Sequence, residues 1–147
     1  MDCKERYYEK IVKITAYPLD AVTFSLPFQL IGKGITSTGF SLDDSRKIDV
    51  PMEKDTAVLK DSVLLDVSGM SYEVTMTWQI EEVTNEVCNT LEYLRDKVCH
   101  FMVTSFGENE VIIRSVEYAY DFSFYEADGK YNCELKVYNV NGVQRVL

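Results

Sequence analysis

The sequence predicts an α+β fold that is mainly β: antiparallel sheets, a small barrel or a sandwich, with one main amphipathic helix at about 83–98 packed on it. Three observations carry this. "YEVTMTWQI" alternates without a break, placing Tyr72, Val74, Met76, Trp78 and Ile80 on one parity and Glu73, Thr75, Thr77 and Gln79 on the other. That is the period of a strand with one buried face. Immediately afterwards the period changes to 3.6, with Val83, Val87, Leu91, Leu94 and Val98 falling on one helical face. Finally, Asp128-Gly129 separates two alternating runs, the signature of a hairpin with a two-residue type I′ turn. A lone amphipathic helix must bury its apolar stripe, and a sheet is the available surface.

The elements follow in chain order. Residues 1–16 mix charge with Tyr7, Tyr8, Ile11, Val12 and Ile14, and the pattern leaves a short helix, a first strand or an N-terminal arm open. "VTFSLPFQLIG" sets Val22, Phe24, Leu26, Phe28 and Leu30 on one parity, again a strand period. Pro27 within it lacks a ladder donor and marks an edge, a bulge or a break. Gly32, Gly34 and Gly39 then punctuate a turn and another short strand. Residues 43–56, "DDSRKIDVPMEKDT", are polar and charged and read as a long loop, either a protruding arm or a plain surface loop. "AVLKDSVLLDVSG" reads as a strand ending at Gly69.

Thr84 or Asn85 is placed to cap the helix. Glu81, Glu82 and Glu86 lie near its positive end, and Arg95 and Lys97 near its negative end. "FMVTSFGENEVIIRSVEYAY" reads as two strand pieces around a turn at Gly107-Glu108-Asn109, the second running on into the hairpin. A type I′ turn at Asp128-Gly129 sets Phe124 against Cys133, Phe122 against Leu135 and Tyr120 against Val137, all on one side. Asp121 then faces Lys136 on the other, an opposite-charge pair. A slip of one residue would mix the faces, so the register is specified.

One domain is the default for 147 residues, and a chain of this size buries roughly two-thirds of its unfolded surface without metal or disulfide staples. The net charge of −9 argues against a basic groove for nucleic acid or an anionic membrane. Cys3, Cys88, Cys99 and Cys133 show no CxxC spacing, the start "MDCKERYYEK" is charged, and no apolar run approaches a membrane span. The cysteines are therefore expected to be reduced thiols of an intracellular product, with Cys88 and Cys133 acting as small hydrophobes. Neither a metal nor a cofactor is expected, because ligand spacing is absent and "GKG" at 32–34 lacks the spacing of a phosphate-binding loop.

No catalytic constellation stands out, and the chain reads as a non-enzyme. His100 is the only histidine and adjoins Cys99. Adjacent strand residues point to opposite faces, so a Cys/His nucleophile pair is awkward. A helix-end histidine meeting terminal carbonyls is the favoured reading. Asp43-Asp44 and Glu81-Glu82 are more simply loop charge and helix N-terminal charge than a metal or glycosidase pair.

The order of elements over residues 64–140 resembles the tail protein U family of contractile-tailed phages. More broadly it resembles tail-tube, tail-completion and baseplate proteins. The resemblance rests on a strand before a helix with Leu91, Leu94 and Arg95 at its centre, then a short strand and a Gly turn. A strand at Val111 to Glu117 follows, running through aromatics into the Asp-Gly turn and a last strand at Leu135 to Val137. It implies a structural virion protein, assembled in the bacterial host cytoplasm, that forms rings, often hexameric, with itself and other tail proteins. Sheets continue between subunits there, and a long loop reaches the next subunit. The acidic balance would suit a channel that DNA traverses without adhering. On this reading the assembly contacts are expected at Tyr7, Tyr8 and Ile11 of the arm and at Arg46, Lys47, Ile48, Val50 and Met52 of the loop. Deleting 44–55 would then leave a folded monomer that fails to assemble. The alternative is a small β-barrel binding module with a cavity lined by Tyr72, Val74, Met76, Trp78, Tyr118, Tyr120, Phe122 and Phe124.

Overall fold

Alternation and turn chemistry set most of the strands where expected. The computed structural model describes residues 5–8, 10–24, 34–35, 39–66, 69–105, 109–140 and 142–146. Among them the chain runs β1 (Glu5–Tyr8), β2 (Ile11–Pro18), β3 (Val22–Phe24), β4 (Gly34–Ile35), β5 (Phe40–Leu42), β6 (Ile48–Val50), β7 (Val58–Asp66) and β8 (Gly69–Ile80). It continues through α1 (Asn85–Asp96), β9 (Cys99–Ser105), β10 (Glu110–Ile113), β11 (Tyr120–Ala127), β12 (Lys130–Asn139) and β13 (Val143–Val146). The expected positions Leu26, Pro27, Phe28 and Leu30, and the Gly107 turn, lie outside the described residues.

Among the described residues two large sheets and a two-stranded β3–β5 pair form, and none closes into a barrel. The first is antiparallel, in the order β1-β7-β8-β12-β11. The second runs β4-β13-β10-β9-β2-β6, antiparallel except where β4 joins β13. One apolar core joins both sheets and the helix, with Met76, Trp78 and Leu135 from the first, Ile14, Phe101 and Ile113 from the second, and Val87, Leu91 and Leu94 from α1. A smaller core lies on the other face of the second sheet, where Tyr17, Met102 and Ile112 meet Val22 of the antiparallel β3–β5 pair. β9 therefore buries both faces, which is why its sequence shows an apolar run without alternation.

The hairpin takes the expected register: Phe124 opposes Cys133, Phe122 opposes Leu135, Tyr120 opposes Val137 and Asp121 opposes Lys136. Asp128 (φ 55°) and Gly129 (φ 76°) both take positive φ, as a type I′ turn demands. The helix is shorter than the apolar stripe. Thr84 caps it by accepting the Val87 N–H at 3.2 Å, and the Lys97 N–H closes on the Tyr93 carbonyl at 2.9 Å. Val83 and Val98 thus fall outside it.

Three expectations are corrected. The 43–56 segment is no free loop: Asp43 caps a short 3-10 turn at Asp44–Arg46, β6 pairs with β2, and Val50 enters the core. Residues 11–16 are no arm, since β2 lies between β9 and β6 in the second sheet. The strand read through 111–127 is broken. β10 ends at Ile113, Arg114–Val116 leave the sheet, a 3-10 turn spans Glu117–Ala119, and β11 begins in the other sheet. The cause is a change of parity: core residues are odd in β10 (Val111, Ile113) and even in β11 (Phe122), so one straight strand cannot serve both.

Candidate functional site

The eight residues expected to make assembly contacts separate by depth. Tyr7, Arg46 and Lys47 are exposed, Tyr8, Ile48 and Met52 are half-buried against the core, and Ile11 and Val50 are buried in it. The Ile11 and Val50 side chains therefore stabilise the protomer core. Arg46 pairs with Asp20 at 2.7 Å on the surface, and that contact holds the Asp20 carboxyl below its ordinary range. Four of the eight lie on edge strands, Tyr7 and Tyr8 on β1 and Ile48 and Val50 on β6. β1 and β11 bound the first sheet, and β4 and β6 bound the second.

β11 is the longest of these edges. Its eight residues pair with β12 without a bulge, and it carries neither Lys nor Pro. Its outward face shows Asp121, Ser123 and Tyr125, the last 65% exposed. Its inward face is fixed firmly. The Trp78 and Phe122 rings stack at 5.7 Å, the Tyr120 hydroxyl donates to the Leu94 carbonyl at 2.6 Å, and the Arg95 guanidinium lies 5.7 Å from the Phe124 ring centre. These contacts lie on the inner face that would line the cavity of the alternative barrel module. Tyr118, expected on the same inner face, instead stands 92% exposed on the 3-10 turn.

Cys99 and His100 lie on opposite faces of β9. Cys99 enters the main core, where burial pushes its thiol up to about 12, the opposite of an activated nucleophile. Burial likewise pushes Cys133 up to about 12. His100 is buried, and it is not at the helix end: α1 stops at Asp96. Its Nδ1 accepts the Ser115 N–H at 2.9 Å, while the Phe24 ring meets it edge-on at 5.3 Å. Burial, and then the nearby Arg114 charge, pull His100 down to about 4. The Ser115 hydroxyl donates to the Cys99 carbonyl.

His100, Arg114 and Ser115 line a cleft of about 830 Å³ where the chain crosses between sheets, with Phe24, Tyr138 and Asn139 among its other walls. Asn139 fixes its floor: Nδ2 donates to the Arg114 carbonyl at 2.7 Å, and Oδ1 accepts the Gly142 N–H at 2.6 Å. The Arg114 guanidinium lies 3.7 Å from the Phe24 ring centre, and burial lowers its pKa. No sequence pattern groups Arg114, Ser115 and Asn139. The available signal was a single basic residue inside the apolar run "VIIRSV".

Among the described residues no group of three His, Cys, Asp or Glu side chains could hold a metal ion. No family model matches the sequence, and no curated protein or solved structure matches it.

Proposed function

We propose that this chain is a structural subunit that assembles by continuing its sheets into neighbouring copies, as a component of a phage tail or tail-like particle. One observation supports the assembly most directly: β11 is the longest edge and is regular along all eight residues, with Asp121 and Glu126 as its only charges and no bulge, Lys or Pro to interrupt it. At the opposite edge of the same sheet, β1 carries Tyr7, which is 59% exposed. Pairing the β11 edge of one copy with the β1 edge of the next is a heterologous contact, which gives a ring where the rotation closes and a filament where it does not. The tail setting, the hexameric ring and partnership with other tail proteins rest on the resemblance of residues 64–140.

The test places charge on the edge while sparing the core. Ser123→Lys with Tyr125→Lys puts two like charges on the outward face of β11. The expected result is a folded protein whose oligomers, sized by light scattering, are lost. Oligomers of unchanged size in this variant would remove β11 from the interface.

A further inference from the structure

We infer that the crossover cleft is a binding site for a carboxylate group, held by Arg114 and His100 against the Phe24 ring. The first ground is an unmet donor. Arg114 Nη1 is buried without a hydrogen-bond partner, and no carboxylate among the described residues pairs with the guanidinium. Glu117 also lines the cleft, yet it is exposed and forms no ion pair with Arg114. The Phe24 ring attracts the cation electrostatically, but a ring face on a guanidinium leaves its N–H donors unsatisfied. A buried, unpaired donor on a charged group is costly, and a bound anion removes that cost.

The second ground is the tautomer of His100. Its Nδ1 accepts the Ser115 N–H, so the neutral ring carries its proton on Nε2 and offers one more donor. The arrangement is rigid: Ser115 ties β9 to the crossover, and Asn139 ties the crossover to the turn before β13. The third ground is charge. Arg114 is the one Lys or Arg among the described residues lining the cleft, and a single cation in an acidic chain of net charge −9 suits a singly charged, planar anion better than a phosphate dianion. The guanidinium fork matches a carboxylate in shape. Leu19, Val22 and Val140 on the walls favour an apolar body next to that carboxylate.

The probe is sodium benzoate, titrated into the full chain at matched ionic strength, with neutral benzamide as the control. Binding is read from the Ser115 amide and the Arg114 side-chain N–H signals by NMR. Benzoate is expected to give saturable shifts at both, with benzamide at least about tenfold weaker. Arg114→Met keeps the side-chain stem over Phe24 and should abolish the response, whereas Arg145→Met, at an exposed position on β13, should leave it unchanged. Equal responses to benzoate and benzamide, or an unchanged response in Arg114→Met, would overturn the assignment. If Arg114→Met unfolds, the benzoate–benzamide comparison on the unaltered protein decides alone. The source of the carboxylate is read without a probe. A Ser115 shift that depends on protein concentration, and is competed by benzoate, assigns it to a side chain of a second copy. A concentration-independent Ser115 signal that still answers benzoate assigns it to a small molecule.

Discussion

His100 gives the chain a titration that stability measurements can isolate. It is the only histidine in the sequence, and it is 7% exposed in β9. Its Nδ1 is occupied by the Ser115 N–H, so protonation there would set two donors against each other. Burial first, and the Arg114 charge second, lower it from an ordinary 6.5 to about 4. Well above that ordinary value, the folded and unfolded chains both carry a neutral ring and stability does not depend on it. As pH falls from 6.5 towards 4, the unfolded chain takes up a proton that the folded chain refuses. Stability therefore falls with pH across that window and levels off once the folded ring also protonates. The integrated loss is about 3 kcal/mol, a large part of a domain's net stability. Asp20 and Glu53, whose pKa values are lowered chiefly by hydrogen bonds to Arg46 and Lys130, lose their contributions from their own ordinary values of 3.8 and 4.5 downward. The upper part of the window thus belongs to His100. Urea unfolding from about pH 7 down to about pH 5 should show the decline, and His100→Gln should flatten it. A flat profile in the parent protein, or an NMR titration of His100 near 6.5, would refute this reasoning.

Other perturbations test the frame that holds the site. Gly129→Ala meets no neighbour, so only its positive φ is strained, and chemical denaturation should show a loss of about 1 kcal/mol. Gly142→Ala adds a collision: its Cβ would stand 2.7 Å from Asp61 Oδ2 and 3.1 Å from Tyr72 Cγ. The loss there should reach about 3 kcal/mol and should shift the Arg114 signals through Asn139. Leu91→Ala empties a fully buried helix position and should destabilise the protein by about 2–5 kcal/mol in the same assay. Deleting 44–55 removes β6 and Val50 with it, so circular dichroism should report an unfolded chain and not a folded monomer.

The sequence made the first sheet legible where one face is buried and the other wet. β8, β11 and β12 alternate cleanly, and Asp128-Gly129 fixes the register of β11 on β12. The second sheet was harder to read because β9 and β10 bury both faces, Phe101 and Val103 towards one core and Met102 towards the other. β6 is three residues inside a charged stretch, and only its pairing with β2 gives it away. The parity change between Ile113 and Tyr120 marks where the chain changes sheets, but three consecutive apolar residues at 111–113 conceal it in the sequence. The cleft was not readable. Phe24, His100 and Asn139 come from three separate strands and meet Arg114 at the crossover between sheets. Their donor groups carry no spacing that a linear pattern could register.

Sheet continuation between copies is tested most directly by sizing the purified chain and imaging the same sample. Light scattering should give a mass several times the 16.9 kDa protomer, and negative-stain microscopy should show rings or tubes. The Ser123→Lys, Tyr125→Lys variant should give the protomer mass with an unchanged melting temperature. A parent protein that stays at 16.9 kDa at every concentration, and remains so with preformed tail assemblies present, would contradict the proposed assembly.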